Sequence, residues 1–356
     1  MTIRFLLMLL WVLVLHTGFS QTITPNKKVI VITTDGLRWE DVFNGLDTAI
    51  LNKKAFQHAD STATAINFGG TTSEERRKKL MPFFWSTIVE KGQIHGNRNK
   101  GSFVDNSNPY WFSYPGYSEI LTGQVDTAVN SNEYKPNPNT NFFEYLNTLP
   151  FYKNKVIAFG AWDAFKRILN EKRSGFPVIN GNHVDSALPK DPQMKLLASL
   201  IEESYQPFGK DETLDVFIKY QSLHYLKTKK PNAMYISFGE TDELAHAGNY
   251  PEYLKAANRF DAFLKEIYNF INTDPEYKGK TVILITTDHG RGDLIKSQWT
   301  SHGQKVKDSH QIWYAMLGSG VDNLGEITIN EQVFQKELIH KVANIINVNF
   351  ESIKSK

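Results

Sequence analysis

Three β-branched hydrophobic runs in this chain each end on an aspartate: VIVITT runs into Asp35, MYISFGET into Asp242 and VILITT into Asp288. A short apolar run bounded by glycine and charged residues reads as a strand buried on both faces, the habit of parallel sheets. Open α/β sheets bind ligands beyond the carboxyl ends of their strands. The pattern therefore predicts three carboxylates on one rim. Two of them bring a histidine, Asp242 with His246 and Asp288 with His289. Hard oxygen beside imidazole nitrogen is the donor set of a zinc-type site.

Strands are expected over 29–34, 156–160, 233–238, 282–287 and 312–317, and helices over 74–92, 163–169, 195–205, 212–227, 250–271 and 330–346. Strand and helix alternate almost throughout. The expected fold class is therefore α/β, a mostly parallel central sheet with helices on both faces. Residues 97–141, rich in Asn, Pro, Gly and Tyr, read as irregular loop with a short helix opening near Ser118. Residues 171–192 read as a surface loop or small subdomain. With 41% apolar and 13% aromatic side chains among 356 residues there is material for one sizeable core. Residues 28–346 are expected to form a single α/β domain with loop insertions.

At the N-terminus Arg4 precedes an apolar stretch over 5–15, and Gly18-Phe19-Ser20 stand before Gln21. That is the pattern of a signal peptide over residues 1–20, and the apolar run falls short of the roughly 20 residues that cross a bilayer. A secreted or periplasmic location follows, with no membrane contact after cleavage. The 40 basic and 38 acidic residues leave a net charge of +2, so no whole-chain field favours nucleic acid. There is no cysteine, which excludes disulfides, a lipidated N-terminal Cys and thiolate ligands. Any metal must be held by Asp, Glu and His.

Asp242 and His246 are four residues apart and share a face if the segment is helical. Asp288-His289 is followed by Gly290 and Gly292, which permit the turn that aims both side chains at one rim. His302, before Gly303, is a further imidazole, and His310 competes with it at this spacing. His58, His95, His183, His224 and His340 fall in no ligand pattern. Each carboxylate taken alone has a plainer role as a helix N-cap; the joint pattern is what points to metal. Three carboxylates and three neutral imidazoles around two divalent ions leave a net positive pocket, suited to a phosphate ester. Ser113, in the loop WFSYPGY, is the candidate nucleophile. Arg291 and Lys135 are further positive charges for a dianionic monoester.

These residues resemble the alkaline phosphatase superfamily, most closely its nucleotide pyrophosphatase/phosphodiesterase branch. TTDGLRWEDV resembles the opening Asp-Gly-Phe/Leu-Arg sequence, with Asp35 in the ligand position. SYPGYSEILTG resembles the nucleophile loop, with Ser113 where the branch has threonine and Thr122-Gly123 at its end. ETDELAHAGNYPEYLKAANRFDAFL, TTDHGRGD and His302-Gly303 before WYAMLGSG resemble three later motifs. The resemblance implies two divalent metal ions, zinc by family habit. Asp35, Asp288 and His289 would hold the ion that activates Ser113, and Asp242, His246 and His302 the other. It implies His302 over His310, and Asn132 as the phosphate-binding asparagine through a short deletion. Tyr117 stands where sulfatases need arginine, which argues against sulfatase chemistry. The implied activity is hydrolysis of phosphodiester, pyrophosphate or phosphomonoester substrates through a phosphoserine. The alternatives are a phosphotransferase or mutase of the same superfamily, and a non-catalytic metal-binding homologue.

Overall fold

A computed structural model describes residues 26–180 and 191–354. The expected signal peptide lies outside the described residues. An eight-stranded sheet forms the centre, built from β1 (Lys28–Thr34), β2 (Gly92–His95), β4 (Val156–Gly160), β5 (Val178–Asn180), β6 (Ala233–Phe238), β7 (Thr281–Thr286), β8 (Tyr314–Gly318) and β9 (Gly325–Glu326). The order across it is β5-β4-β6-β1-β7-β8-β2-β9. All pairings are parallel except those of β8, which runs against both β7 and β2. A second, two-stranded sheet pairs β3 (Ser102–Asp105) with β10 (Glu331–Phe334) in parallel.

Alternate residues of β1 serve opposite faces, as the pleat requires. Ile30 and Ile32 enter one core with Ile236, Ile285 and the helix Tyr250–Thr273, through Leu254, Ala257, Phe260, Leu264 and Ile267. Val29 and Val31 enter the other with the helices Ser113–Thr122, Phe142–Thr148 and Leu338–Ile345. The mostly parallel sheet with helices on both faces is thus as expected. Among the described residues no helix is long and apolar enough to cross a membrane.

Four expectations need correction. The helix over 74–92 is broken: Ser73–Leu80 ends before Pro82, and a π-helical turn, Phe84–Ile88, follows. Pro82 supplies no N–H and crowds the preceding turn, while the exposed N–H groups of Phe83 and Phe84 are taken by the buried Asp261 carboxylate at 2.8 and 2.7 Å. The closing helix over 330–346 begins only at Leu338, because Glu331–Phe334 are drawn into β10. The loop over 97–141 contains β3, and its short helix starts at Ser113, not Ser118. Within 171–192, Glu171–Ser174 is helical and Val178–Asn180 is β5.

Candidate metal centre

The three strands deliver their acids as one rim. Asp35 follows β1, and its N–H extends the ladder to Phe238 O at 2.9 Å. Gly36 then turns the chain at φ +57°; a Cβ there would lie 2.7 Å from Asp242 Oδ1 and 3.2 Å from His289 Cε1, so only glycine fits between β1 and the centre. Asp242 sits in the helix Glu240–His246 after β6, whose first N–H groups are held by Asp215. Asp288 follows β7. Its carbonyl oxygen accepts from Asn106 Nδ2 and Gln335 Nε2, both at 2.7 Å. Those two amides directly follow β3 and β10, so the small sheet serves as a bracket on Asp288.

Ser113 is the first residue of its helix and is buried. The strand-like Phe112 before it follows Trp111 at φ +52°, a conformation that costs a bulky residue energy and needs support. Asn108 Oδ1 provides that support by accepting the N–H groups of Tyr110 and Trp111 at 3.0 and 3.1 Å. Ser113 Oγ thereby faces His289 Nε2 at 3.5 Å.

His289 is fully buried. Its Nδ1 donates to Gly290 O at 3.0 Å, which fixes the tautomer and leaves Nε2 as the open position. Around Nε2 stand Asp35 Oδ1 at 3.3 Å, Asp288 Oδ2 at 3.4 Å and Asp242 Oδ1 at 3.9 Å. Asp35 Oδ1 and Asp288 Oδ2 are buried without a hydrogen-bond partner. Two donors on one tetrahedral zinc, with bonds of about 2.0–2.1 Å, stand about 3.3 Å apart. Asp35, Asp288 and the Ser113 hydroxyl each stand at about that spacing from His289 Nε2, so the group fits a divalent cation. Electrostatics agree: burial disfavours a charged imidazole, but Asp288, Asp35 and Asp242 outweigh it and push His289 up to about 9. Burial, then the neighbouring acids, raises Asp35 and Asp288. A pocket that holds a proton this strongly attracts a cation for the same reason.

The second set is arranged differently. His246 Nε2 lies 3.0 Å from both Asp242 Oδ2 and His302 Nε2, and His302 Nε2 lies 3.8 Å from Asp242 Oδ1. Donor atoms of Asp242, His289 and His302 lie within 4.8 Å of one another, as do those of Asp35, Asp288 and His289. His310 is elsewhere, donating from Nδ1 to Lys307 O and standing against Trp111. Asn132 touches the neighbour of the nucleophile, its Oδ1 accepting the Tyr114 N–H at 3.0 Å. Lys135 is exposed.

Sequence reasoning gave Arg291 the wrong place. It is buried, with Nη1 on Asp242 Oδ1, Nε on Trp299 O at 2.7 Å and Nη2 on Thr300 O at 2.8 Å. Burial works to raise Asp242, yet Arg291, His302 and His246 hold it well below the usual carboxylate range. Tyr117 was also missed: its hydroxyl donates to Asp35 Oδ2 at 2.9 Å. The one available signal was its position four residues after Ser113, on the same helix face. Nothing in the sequence marked Asn106 or Gln335.

Residues 210–352 match the model of the Metalloenzyme superfamily, a span that holds Asp242, His246, Asp288, His289 and His302 but not Asp35 or Ser113. Comparison with curated proteins gives no match. Among solved structures, the chain resembles murine ectonucleotide pyrophosphatase/phosphodiesterase 5 at 10% identity, covering 91% of this chain and 96% of that one, with a TM-score of 0.55. It resembles the lipoteichoic acid synthase LtaP of Listeria monocytogenes at 10% identity, covering 92% and 73%, with a TM-score of 0.53. A protein in the alkaline phosphatase superfamily from Vibrio parahaemolyticus matches at 10% identity over 92% and 67%, with a TM-score of 0.50. At such identities the likeness is one of fold. The family match and the two donor clusters together indicate a divalent-metal centre. The chain has the fold of the alkaline phosphatase superfamily structures it resembles, and its residues 210–352 match the Metalloenzyme superfamily model.

Proposed function

We propose that this chain is an exported, metal-dependent hydrolase of phosphate esters that works through a phosphoserine on Ser113. The observation that carries the reading is the placement of Ser113 Oγ 3.5 Å from the same His289 nitrogen that two partnerless carboxylate oxygens face. Asp35, Asp288 and His289 would hold one divalent ion beside the hydroxyl, and Asp242 and His302 face a second position, with His246 packed beside them. Zinc suits this oxygen and nitrogen donor set. When bound, such an ion lowers the pKa of an adjacent hydroxyl and neutralises phosphoryl charge.

The residues then divide the work. Ser113 Oγ attacks phosphorus in line; the Oγ–P bond forms as the bond to the leaving oxygen breaks, and the serine proton ends on the leaving alcohol or phosphate. The N-terminal end of the Ser113 helix adds its positive dipole beside the phosphoryl oxygens. Water then attacks phosphoserine, releasing phosphate or its monoester and restoring the hydroxyl. Asn132 keeps the Tyr114 amide in place beside the reacting oxygen. Both monoesters and diesters are substrates in principle; hydrolysis of p-nitrophenyl phosphate against its bis-ester, with and without chelator, decides between them. Ser113→Ala should lower turnover on the order of 10³-fold or more with metal content unchanged. Retained turnover would remove Ser113 from this role.

A further inference from the structure

The two halves of the centre are unequal, and Arg291 is the cause. This argument rests on reading the site as a metal centre. On the Ser113 side, no Lys or Arg among the described residues pairs with Asp35 or Asp288. On the other side Arg291, 1% exposed, has its guanidinium on Asp242 Oδ1. That is the oxygen nearest His302 and His289. A guanidinium has donors only and stays charged throughout the range in which proteins fold. An ion bound there would sit against a fixed positive charge.

His246 is affected as well. Its Nδ1 faces Arg291 Nη2 at 3.4 Å. Opposite a group that can only donate, Nδ1 must carry the lone pair, which puts the proton of a neutral ring on Nε2. Nε2 is the nitrogen that points at Asp242 Oδ2 and His302 Nε2, and a protonated nitrogen is no ligand. The lone pair of His289 belongs with Asp35, Asp288 and Ser113. The second position is left with Asp242 Oδ2 and His302 Nε2, where zinc sites normally have at least three protein ligands.

We infer that Arg291 stands in for the second cation: the centre holds one divalent ion tightly on Asp35, Asp288 and His289, and the guanidinium neutralises the Asp242 half from within. A second ion binds there weakly and exchanges. Equilibrium dialysis of the full chain against graded free zinc, with bound metal measured by atomic emission, tests this. One ion is expected at low free zinc, and a second only at concentrations about a hundredfold or more higher. Arg291→Gln should narrow that gap by at least about tenfold. His246→Gln, at a ring whose side chain is 43% exposed and whose replacement is therefore tolerated by the fold, should leave both affinities unchanged. Two ions of equal affinity in the wild type, an unchanged gap in Arg291→Gln, or a weakened second ion in His246→Gln would each overturn the inference while leaving the hydrolase reading intact. Absence of any zinc binding would overturn both.

Discussion

At the residue scale the centre depends on which way protons point. Tyr117 is pushed well above the usual phenol range by burial and by the charges of Asp288 and Asp35, so it remains a donor to Asp35 Oδ2. Tyr117→Phe removes that donor and leaves a buried carboxylate oxygen less well oriented. Zinc affinity should fall about 10–100-fold, with the fold retained; a dialysis constant equal to the wild type would show that Asp35 needs no such support. His289 sets a second expectation. Its pKa in the ion-free protein is raised from 6.5 to about 9. Between those values the native site holds a proton that the unfolded chain has released, so this stabilisation is complete below pH 6.5 and lost as pH rises through 9. The same proton competes with the cation for Nε2. Zinc affinity should therefore rise by up to about tenfold per pH unit until pH 9 and then level off. A flat profile from pH 6 to 9 would mean that Nε2 is not a ligand.

At the scale of elements, the position of the nucleophile is decided by how closely its helix approaches β7. Gly116 permits that approach: a Cβ there would lie 2.4 Å from the Asp288 carbonyl oxygen. Gly116→Ala must push the helix away, at a cost of about 1–3 kcal/mol for overpacking, and it should reduce kcat far more than KM because Ser113 Oγ moves while the pocket remains. Normal kcat in this variant would show that the contact is slack. The same helix shows where the sequence was legible and where it was not. VIVITT, MYISFGET and VILITT were readable as strands because β-branched runs have few other buried homes, and their terminal aspartates lie where those strands end. The helix start was not readable, since Pro115-Gly116 signal a turn; yet proline is harmless in a first helical turn, where its missing N–H has no partner to lose. Glu331–Phe334 read as helix because its link to Ser102–Asp105 crosses more than two hundred residues. A pairing so remote leaves no local periodicity. Arg291 was read as a free charge for substrate for a related reason: TTDHGRGD shows a basic residue beyond a turn, and only the fold reveals that its path ends on Asp242.

For the whole molecule, the sheet brings three carboxylates to one buried rim, and among the described residues a single guanidinium pairs with one of them. Burying carboxylates without compensation is unfavourable, so the native state must recruit either protons or a cation. In the ion-free protein protons serve, as the raised Asp35, Asp288 and His289 indicate. They are lost as pH climbs. A bound ion serves at any pH above the point where protons displace it. At free zinc about a hundredfold above its dissociation constant, linkage contributes about 2.7 kcal/mol, or roughly 3–4 °C in Tm for a chain of this size. Chelation should lower Tm by that amount at pH 7.5. The drop should be smaller at pH 6, where protons already neutralise the rim, and larger at pH 9, where His289 is losing its proton. Thermal denaturation with and without EDTA at the three pH values measures this directly. A Tm that ignores chelator at all three would mean that the acidic rim is balanced by the protein alone, and that the assembled aspartates and histidines are not there to hold metal.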